Sequence, residues 1–546
     1  MIKNIWRFRA AILPGSIIAL SFLLLALSIF YILFLHTNQI EFSFNFLNHR
    51  IIHLIEFTIF QAFLSTLLSL IIGTLLAWSL AHQNAFFGRN LLIALLSSSL
   101  VLPTLIVVFG IISILGNNGW VNRALLSLFD TSLGNFVYGL SGILVAHVYL
   151  NASFAARSIL HVFESIPKER YKLSKSLGFS VLTRFVLIEF PAIKNSLKSI
   201  ASTIFLLCFT SFAIVLVLGG SPAYNTLEVS IYEAIRIDFD IPMALKLALI
   251  QLSITFFLVI LSSNFHTGLS NIKTASTPVP WREPIATHRV QILIILLCSF
   301  LFILPLISIV VDGLGANFGR IFHDALFLKS LFTSILIASC SSIMTVICAL
   351  LMSDARRNFN INHRIKKSKA RTLIDLLIAF SGNIYLAIPS LILGLGFFMF
   401  SQTFQGPQVL WALLALLSAN ILMSLPFALS ILYPSMQKIA QRYDKLAFSL
   451  NLEGKSRWFY CEWPYLKTSV AYVAALSFCL SLGDLGVIAL FGSDEITTLP
   501  WYLYGLMGSY NTKDGAGVAL MLLVLTLSIF ILLPKVFTRN FRATNQ

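Results

Sequence analysis

Long uncharged runs alternate with short basic ones along the chain. Residues 10–40 contain no Asp, Glu, Lys or Arg, and neither do 57–88, 90–122, 131–156, 199–227, 247–272, 290–311, 330–353, 376–437 and 515–534. A helix needs about 20 apolar residues to cross a bilayer. The 376–437 run is too long for one crossing and is interrupted by the polar stretch SQTFQGPQ (401–408), with Gly406 and Pro407, so it reads as two. A further run, 468–493, is broken only by Asp484. The pattern predicts twelve spans, at 12–35, 57–80, 91–115, 140–160, 197–218, 243–262, 290–311, 330–352, 373–400, 409–432, 468–491 and 516–534. The first run is longer than the apolar core of a signal peptide, about 7–15 residues, and is read as a retained helix.

Composition agrees. Hydrophobic residues make up 58% of the 546 positions and charged residues 11%, with a mean hydropathy of +0.87. A globular chain carries about 25% charged residues. So few charges cannot cover a wet surface, which excludes a soluble enzyme, a disordered chain and a fibrous repeat. The fold class expected is all-α and polytopic. The net charge of +16 would suggest nucleic acid in a soluble protein. Its distribution says otherwise. With the N-terminus inside, 31 of the 38 Lys and Arg fall in the inner segments 1–11, 81–90, 157–198, 263–289, 354–371, 433–467 and 535–546 or at their adjoining span ends. Both termini are therefore expected in the cytoplasm of a multi-pass inner-membrane protein, with lipid and no nucleic acid as partner. The six cysteines form no C-x-x-C pair, and no metal site or cofactor is expected.

The chain repeats itself. SIPKERYKLSKSLGFSVLTRFVLIEFPAIKNSL begins at Ser165 and KIAQRYDKLAFSLNLEGKSRWFYCEWPYLKTSV at Lys438. At this offset of 273, Leu177 meets Leu450, Arg184 meets Arg457, Glu189 meets Glu462 and Pro191 meets Pro464. TLEVSIY (226–232) echoes TLPWYLY (498–504), and LPTLIVVFG (102–110) echoes IPSLILGLG (388–396) at an offset of 286. With six spans in each copy, the repeats run parallel, related by an axis along the membrane normal. The expected units are 53–262, preceded by helix 12–35, and 328–533, preceded by helix 290–311. A Pro-containing linker at 263–289 joins them.

The repeated basic loop between spans four and five, and again between ten and eleven, carries a resemblance. It is similar to the cytoplasmic EAA loop of permease subunits of binding-protein-dependent ABC importers, roughly E-A-A-x-x-x-G, then about nine residues, then I-x-L-P. Here the Glu position holds Lys172 and Lys445. The small positions hold Leu173–Ser174 and Leu446–Ala447. The glycine is Gly178 in one copy and Asn451 in the other, the residue next best suited to a left-handed turn. The resemblance implies a type I importer permease fold and a coupling helix in each half that sits in a groove of an ATPase subunit. Tyr171, Leu173, Ser174, Leu177, Gly178 and Pro191 would form one coupling loop, and Tyr443, Leu446, Ala447, Leu450, Asn451 and Pro464 the other. Leu173 and Leu177 are spaced i, i+4, which puts them on one helix face beside Tyr171 and Ser174. A short amphipathic helix on lipid headgroups is the alternative. The stretch 481–520 further resembles permeases of thiamine importers, with fused iron(III) importer permeases next. That implies thiamine or its phosphate esters as cargo, two copies of a separate ATPase, a periplasmic thiamine-binding protein, and no chemistry on the cargo.

EGKS (453–456) lacks the first glycine of a phosphate-binding loop, because position 449 is Ser449. Asp484 is the one acid well inside a span. It lines a path for a cationic solute or is packed between Gly483 and Gly486. His147 and Asn151, with Asn420 opposite His147, either line the path or bond helix to helix. Trp120, Trp501 and Tyr502 fit an interfacial belt. A secondary transporter would show several intramembrane charges, and a membrane-embedded enzyme a catalytic constellation.

Overall fold

The computed structural model describes residues 2–36, 48–83, 86–99, 101–263, 283–363, 369–386, 388–403, 407–452, 454–493, 495–509 and 511–539. Residues 264–282 of the expected linker, 364–368 of the basic loop, Gly406 and Glu453 lie outside the described residues. Among the described residues all regular structure is helical, and eleven helices are long and apolar enough to cross a membrane.

The expected ninth crossing, 373–400, is not one helix. Lys369–Asn383 ends in a short 3-10 turn, and a new helix, Ser390–Thr403, starts after Pro389. Pro389 has no N–H to continue a helix, but its carbonyl accepts from Ile392 and Leu393 at 3.1 Å each. The matching span in the other repeat, 91–115, breaks the same way. Arg89–Ser98 gives way to Thr104–Leu115, capped by Pro103. Spans five and eleven break as well. Phe190–Phe209 stops before Ala213–Leu218, and Trp463–Leu482 stops before Gly486–Phe491. Non-helical backbone at membrane depth leaves polar groups without helical partners, so it is tolerated only where protein or a cavity surrounds it.

Two further boundaries differ from expectation. The helix from Ala325 continues to His363, through the first part of the basic stretch 354–371. The tenth span does not stop near 432: Gln408–Ser449 runs unbroken into the repeated basic loop. In the first repeat Leu140–Glu164 ends, Pro167 caps a separate helix, and Lys168–Ser176 follows. Ala440 occupies the position matching Pro167, so nothing there forces a break.

The leading helix of each repeat crosses to the other repeat. Pro305, in Ile285–Leu314, lies against Gly110, where a Cβ would stand 2.8 Å from the Pro305 carbonyl oxygen. Ile29, in Ile2–His36, lies against Gly396, where a Cβ would stand 2.6 Å from the Ile29 side chain. Small residues permit such approach between helices in lipid. Two tyrosines repeat the exchange: the Tyr149 hydroxyl donates to the Phe302 carbonyl at 2.9 Å, and the Tyr385 hydroxyl to the Phe22 carbonyl at 2.7 Å. The outward faces of both leading helices are bare apolar stripes, Leu13, Leu20, Leu24 and Leu27 on one and Leu293, Leu296, Phe300 and Leu301 on the other. In water these faces would be a liability; in a bilayer the lipid tails are their solvent.

Candidate functional site: a central cavity and two matched loops

The four helix breaks converge. A cavity of about 290 Å³ is lined by Ser99, Val101–Thr104, Thr210–Ile214, Ser390 and Gly483–Gly486 at the breaks, with spans four and ten completing the wall. Two glycines close the breaks on one another. A Cβ at Gly483 would stand 3.0 Å from Pro103, and one at Gly486 only 2.2 Å from the Ser390 hydroxyl.

All four polar residues singled out in the spans line this cavity: His147, Asn151, Asn420 and Asp484. His147 is buried, its Nδ1 3.0 Å from the Ser65 hydroxyl, while its Nε2 has no partner. Asn151 donates to the Cys208 sulfur at 3.3 Å. Asp484 Oδ1 accepts from the Gly486 N–H at 3.1 Å, and its Oδ2 is buried without a partner. Asp484 is therefore both closely packed and turned to the cavity, so the two expectations for it are compatible. It is the only acid among the lining residues, beside Phe154, Phe212 and Phe427. Behind it lies a water-sized space of about 10 Å³ bounded by Ser334, Ser481 and Thr498, the last two with unpartnered hydroxyls.

A further buried acid is not singled out by the apolar runs. Glu228 accepts from the Gln251 side chain at 3.2 Å through Oε1, and its Oε2 is unpartnered. It sits in Leu227–Arg236, a short helix outside the spans, where a search for acids within long apolar runs does not look. Its signal was its place within the repeated TLEVSIY. That helix and its counterpart Leu499–Gly508 are tied down alike: the Leu227 N–H donates to the Thr58 hydroxyl at 3.1 Å and the Leu499 N–H to the Ser334 hydroxyl at 2.7 Å. Of the expected belt aromatics, Trp120 donates to Asp312 at 3.1 Å and Tyr502 to Asp324 at 2.6 Å.

At the basic end of the bundle the two loops superpose bond for bond. Leu177, Gly178 and Phe179 donate their N–H groups to Leu173, Lys175 and Ser174 at 3.0, 3.1 and 3.0 Å. Leu450, Asn451 and Leu452 donate to Leu446, Phe448 and Ala447 at 3.0, 3.1 and 2.9 Å. Gly178 has φ +66° and Asn451 φ +52°, the left-handed turn that ends a helix. One expectation is corrected. Tyr171 and Ser174 do not lie beside Leu173 and Leu177; they are buried on the inner face, and the leucines point out, each 59% exposed. The reason is helical geometry: 171 and 174 are three apart and share a face, and 173 and 177 are four apart and share another. Ala447 is buried likewise, with Leu446 51% and Leu450 61% exposed. Burial in the loop base, and next the charge of Glu189, push the Tyr171 hydroxyl above its ordinary pKa. Tyr443 instead stacks on Tyr465 at 4.6 Å. Beyond each loop a π-helical turn, Phe185–Glu189 or Trp458–Glu462, leads into the next span, where Pro191 and Pro464 occupy the first turn.

A twofold helical bundle with broken spans around one central cavity has the build of a membrane solute carrier. Residues 367–540 match the family model described as binding-protein-dependent transport system inner membrane component. The chain is 34% identical over 533 residues to the thiamine transport system permease protein ThiP of Salmonella typhimurium, covering 97% of each. It is 35% identical to the ThiP of Escherichia coli, covering 89% of each, and 35% identical to that of Haemophilus influenzae, covering 94% of each. No solved structure matches. By this identity over nearly its whole length, the chain belongs to the thiamine transport system permease family, whose members are fused two-domain permeases of ABC importers. It is a multi-pass inner-membrane protein, and the family implies an ABC ATPase and a periplasmic binding protein as partners.

Proposed function

We propose that the chain forms the whole pore of a thiamine importer, with 53–262 and 328–533 as its two transport units and both termini in the cytoplasm. Two ATPase subunits engage it, one at Leu173–Gly178 and one at Leu446–Asn451. A periplasmic protein delivers thiamine to the opposite end. The observation that carries this reading is the pair of loops with matching turn hydrogen bonds and similarly exposed leucines. Paired apolar helix faces at the basic end suit two copies of one soluble partner. The permease performs no chemistry; the partner hydrolyses ATP, and its closure moves both loops and rocks the spans between inward and outward access.

The cavity suits the cargo. Thiamine carries a cationic thiazolium and a second flat ring. Asp484 would offset the positive charge, and Phe154, Phe212 and Phe427 supply aromatic faces to a cation. About 290 Å³ is near the small end of ligand pockets, roughly 300–1,000 Å³. Hexacoordinate iron(III) favours several hard oxygen ligands, and one carboxylate is a poor match. The test is uptake of labelled thiamine by proteoliposomes holding the complete complex. ATP-dependent uptake competed by thiamine and not by iron(III) supports the reading. Uptake that iron(III) displaces, or that proceeds without ATPase, contradicts it.

A further inference from the structure

Each repeat closes the base of its loop with a square of two nitrogen-bearing side chains, two arginines or an arginine and a histidine, and two carboxylates. In the second repeat Glu462 pairs with Arg357 at 2.7 Å and Arg457 at 3.0 Å. Asp444 pairs with the same two, at 2.5 and 2.9 Å. In the first repeat Glu189 pairs with Arg184 at 3.0 Å and the His82 ring at 3.1 Å. Arg184 and Arg457 match at the repeat offset, as do Glu189 and Glu462. The position matching Asp444 is Tyr171, which carries no acid.

The missing corner is filled from elsewhere. Glu283, at the end of the segment joining the repeats, pairs with Arg184 and lies 3.5 Å from the His82 ring. Its side chain is 1% exposed, and those of Arg184, His82 and Glu189 are fully buried. Glu283 thus takes the corner that Asp444 holds in the other half: it meets the arginine matching Arg457, and a histidine ring where Asp444 meets a second arginine. Pro284 follows directly and caps Ile285–Leu314, so the carboxylate is fixed at a helix start. The next turns of that helix are docked nearby, with the Gln83 side chain donating to Gln291 at 2.7 Å.

We infer that Glu283 is a positioning residue: the connecting segment supplies, in place of an acid on the first coupling helix, the carboxylate that holds Arg184 and so sets the first loop's attachment to its repeat. The second loop carries its own acid on the helix that moves. The first loop instead takes its register from the joint between the halves. Removing that carboxylate leaves a buried guanidinium with one acid fewer, and a buried charge deprived of its partner perturbs its surroundings strongly. The loop can then shift without carrying the spans along.

The inference rests on the loops being the ATPase contacts, and its test separates the two. Complete complexes are reconstituted with wild-type chain, Glu283→Gln, Glu283→Gln with Tyr171→Asp, and Leu173→Asp with Leu177→Asp. The readouts are thiamine taken up per ATP hydrolysed and ATPase subunits retained. Glu283→Gln is expected to keep the ATPase bound and lower uptake per ATP at least fivefold. Tyr171→Asp, which moves the acid onto the helix as in the other half, is expected to restore at least half of that ratio. An unchanged ratio in Glu283→Gln, or a loss that Tyr171→Asp deepens, overturns the inference. Should Glu283→Gln not accumulate, Glu283→Asp, which keeps the charge on a shorter arm, is expected to show at least a twofold loss; a wild-type ratio there overturns it equally. Two ATPase subunits retained by the Leu173→Asp, Leu177→Asp chain, where one is expected, would instead count against the loop assignment itself.

Discussion

Gly178 and Asn451 occupy matching positions in the two repeats and hold the same left-handed turn, at φ +66° and +52°. A Cβ at 178 would meet no atom within 4 Å, so backbone strain is what opposes one there. The turn fixes the angle at which each loop helix leaves for the next span.

Gly178→Val is therefore expected to cost about 1–2 kcal/mol of local strain and to lower uptake per ATP severalfold while the chain still inserts normally. Asn451→Gly, which relieves strain, is expected to leave uptake within twofold of wild type. Proteoliposome uptake against ATP hydrolysis, with membrane yield as control, checks both.

Asp484 supplies the cavity's one carboxylate. Asp484→Asn keeps the shape and removes the charge. Losing one charge-assisted contact is worth roughly 1.5–3 kcal/mol, so uptake of thiamine at limiting concentration should fall about tenfold or more. Basal ATP hydrolysis should be unchanged. Equal loss with a neutral thiamine analogue would assign Asp484 to packing alone.

The crossed leading helices make a stability prediction. Gly110→Leu and Gly396→Leu each drive a side chain into a neighbouring helix, at Pro305 and Ile29. Overpacking of this kind costs about 1–3 kcal/mol. Both should lower the thermal aggregation midpoint of the detergent-solubilised chain, and the swap of each leading helix predicts that either variant loosens both repeats. Gly508→Ala, which meets no neighbour, is expected to leave the midpoint unchanged.

Hydropathy alone located eleven of the crossings, because lipid selects for long apolar runs whatever packs behind them. The repeat was equally legible, since Arg184, Glu189 and Pro191 recur with their partners at one offset. The breaks were not. Pro103 and Pro389 stood in the matched LPTL and IPSL, yet a proline in an apolar run is compatible with a kinked helix. Only the convergence of four breaks makes a cavity. Asp484, His147, Asn151 and Asn420 could be named as polar residues in apolar runs, but their meeting depends on packing between the repeats. Glu283 could not be found, because the sequence pairs Asp444 with nothing acidic in the first loop. The carboxylate arrives from a segment 99 residues downstream of Arg184.

The central claim is that two loops on one chain each hold an ATPase subunit, and the mass of the purified complex tests it most directly. Light scattering on complexes carrying Leu173→Asp with Leu177→Asp, Leu446→Asp with Leu450→Asp, or all four changes counts the subunits retained. Two ATPases on the unmodified chain, one on each singly altered chain and none on the fourfold variant is the expected series. Two ATPases still bound to the fourfold variant would contradict the account.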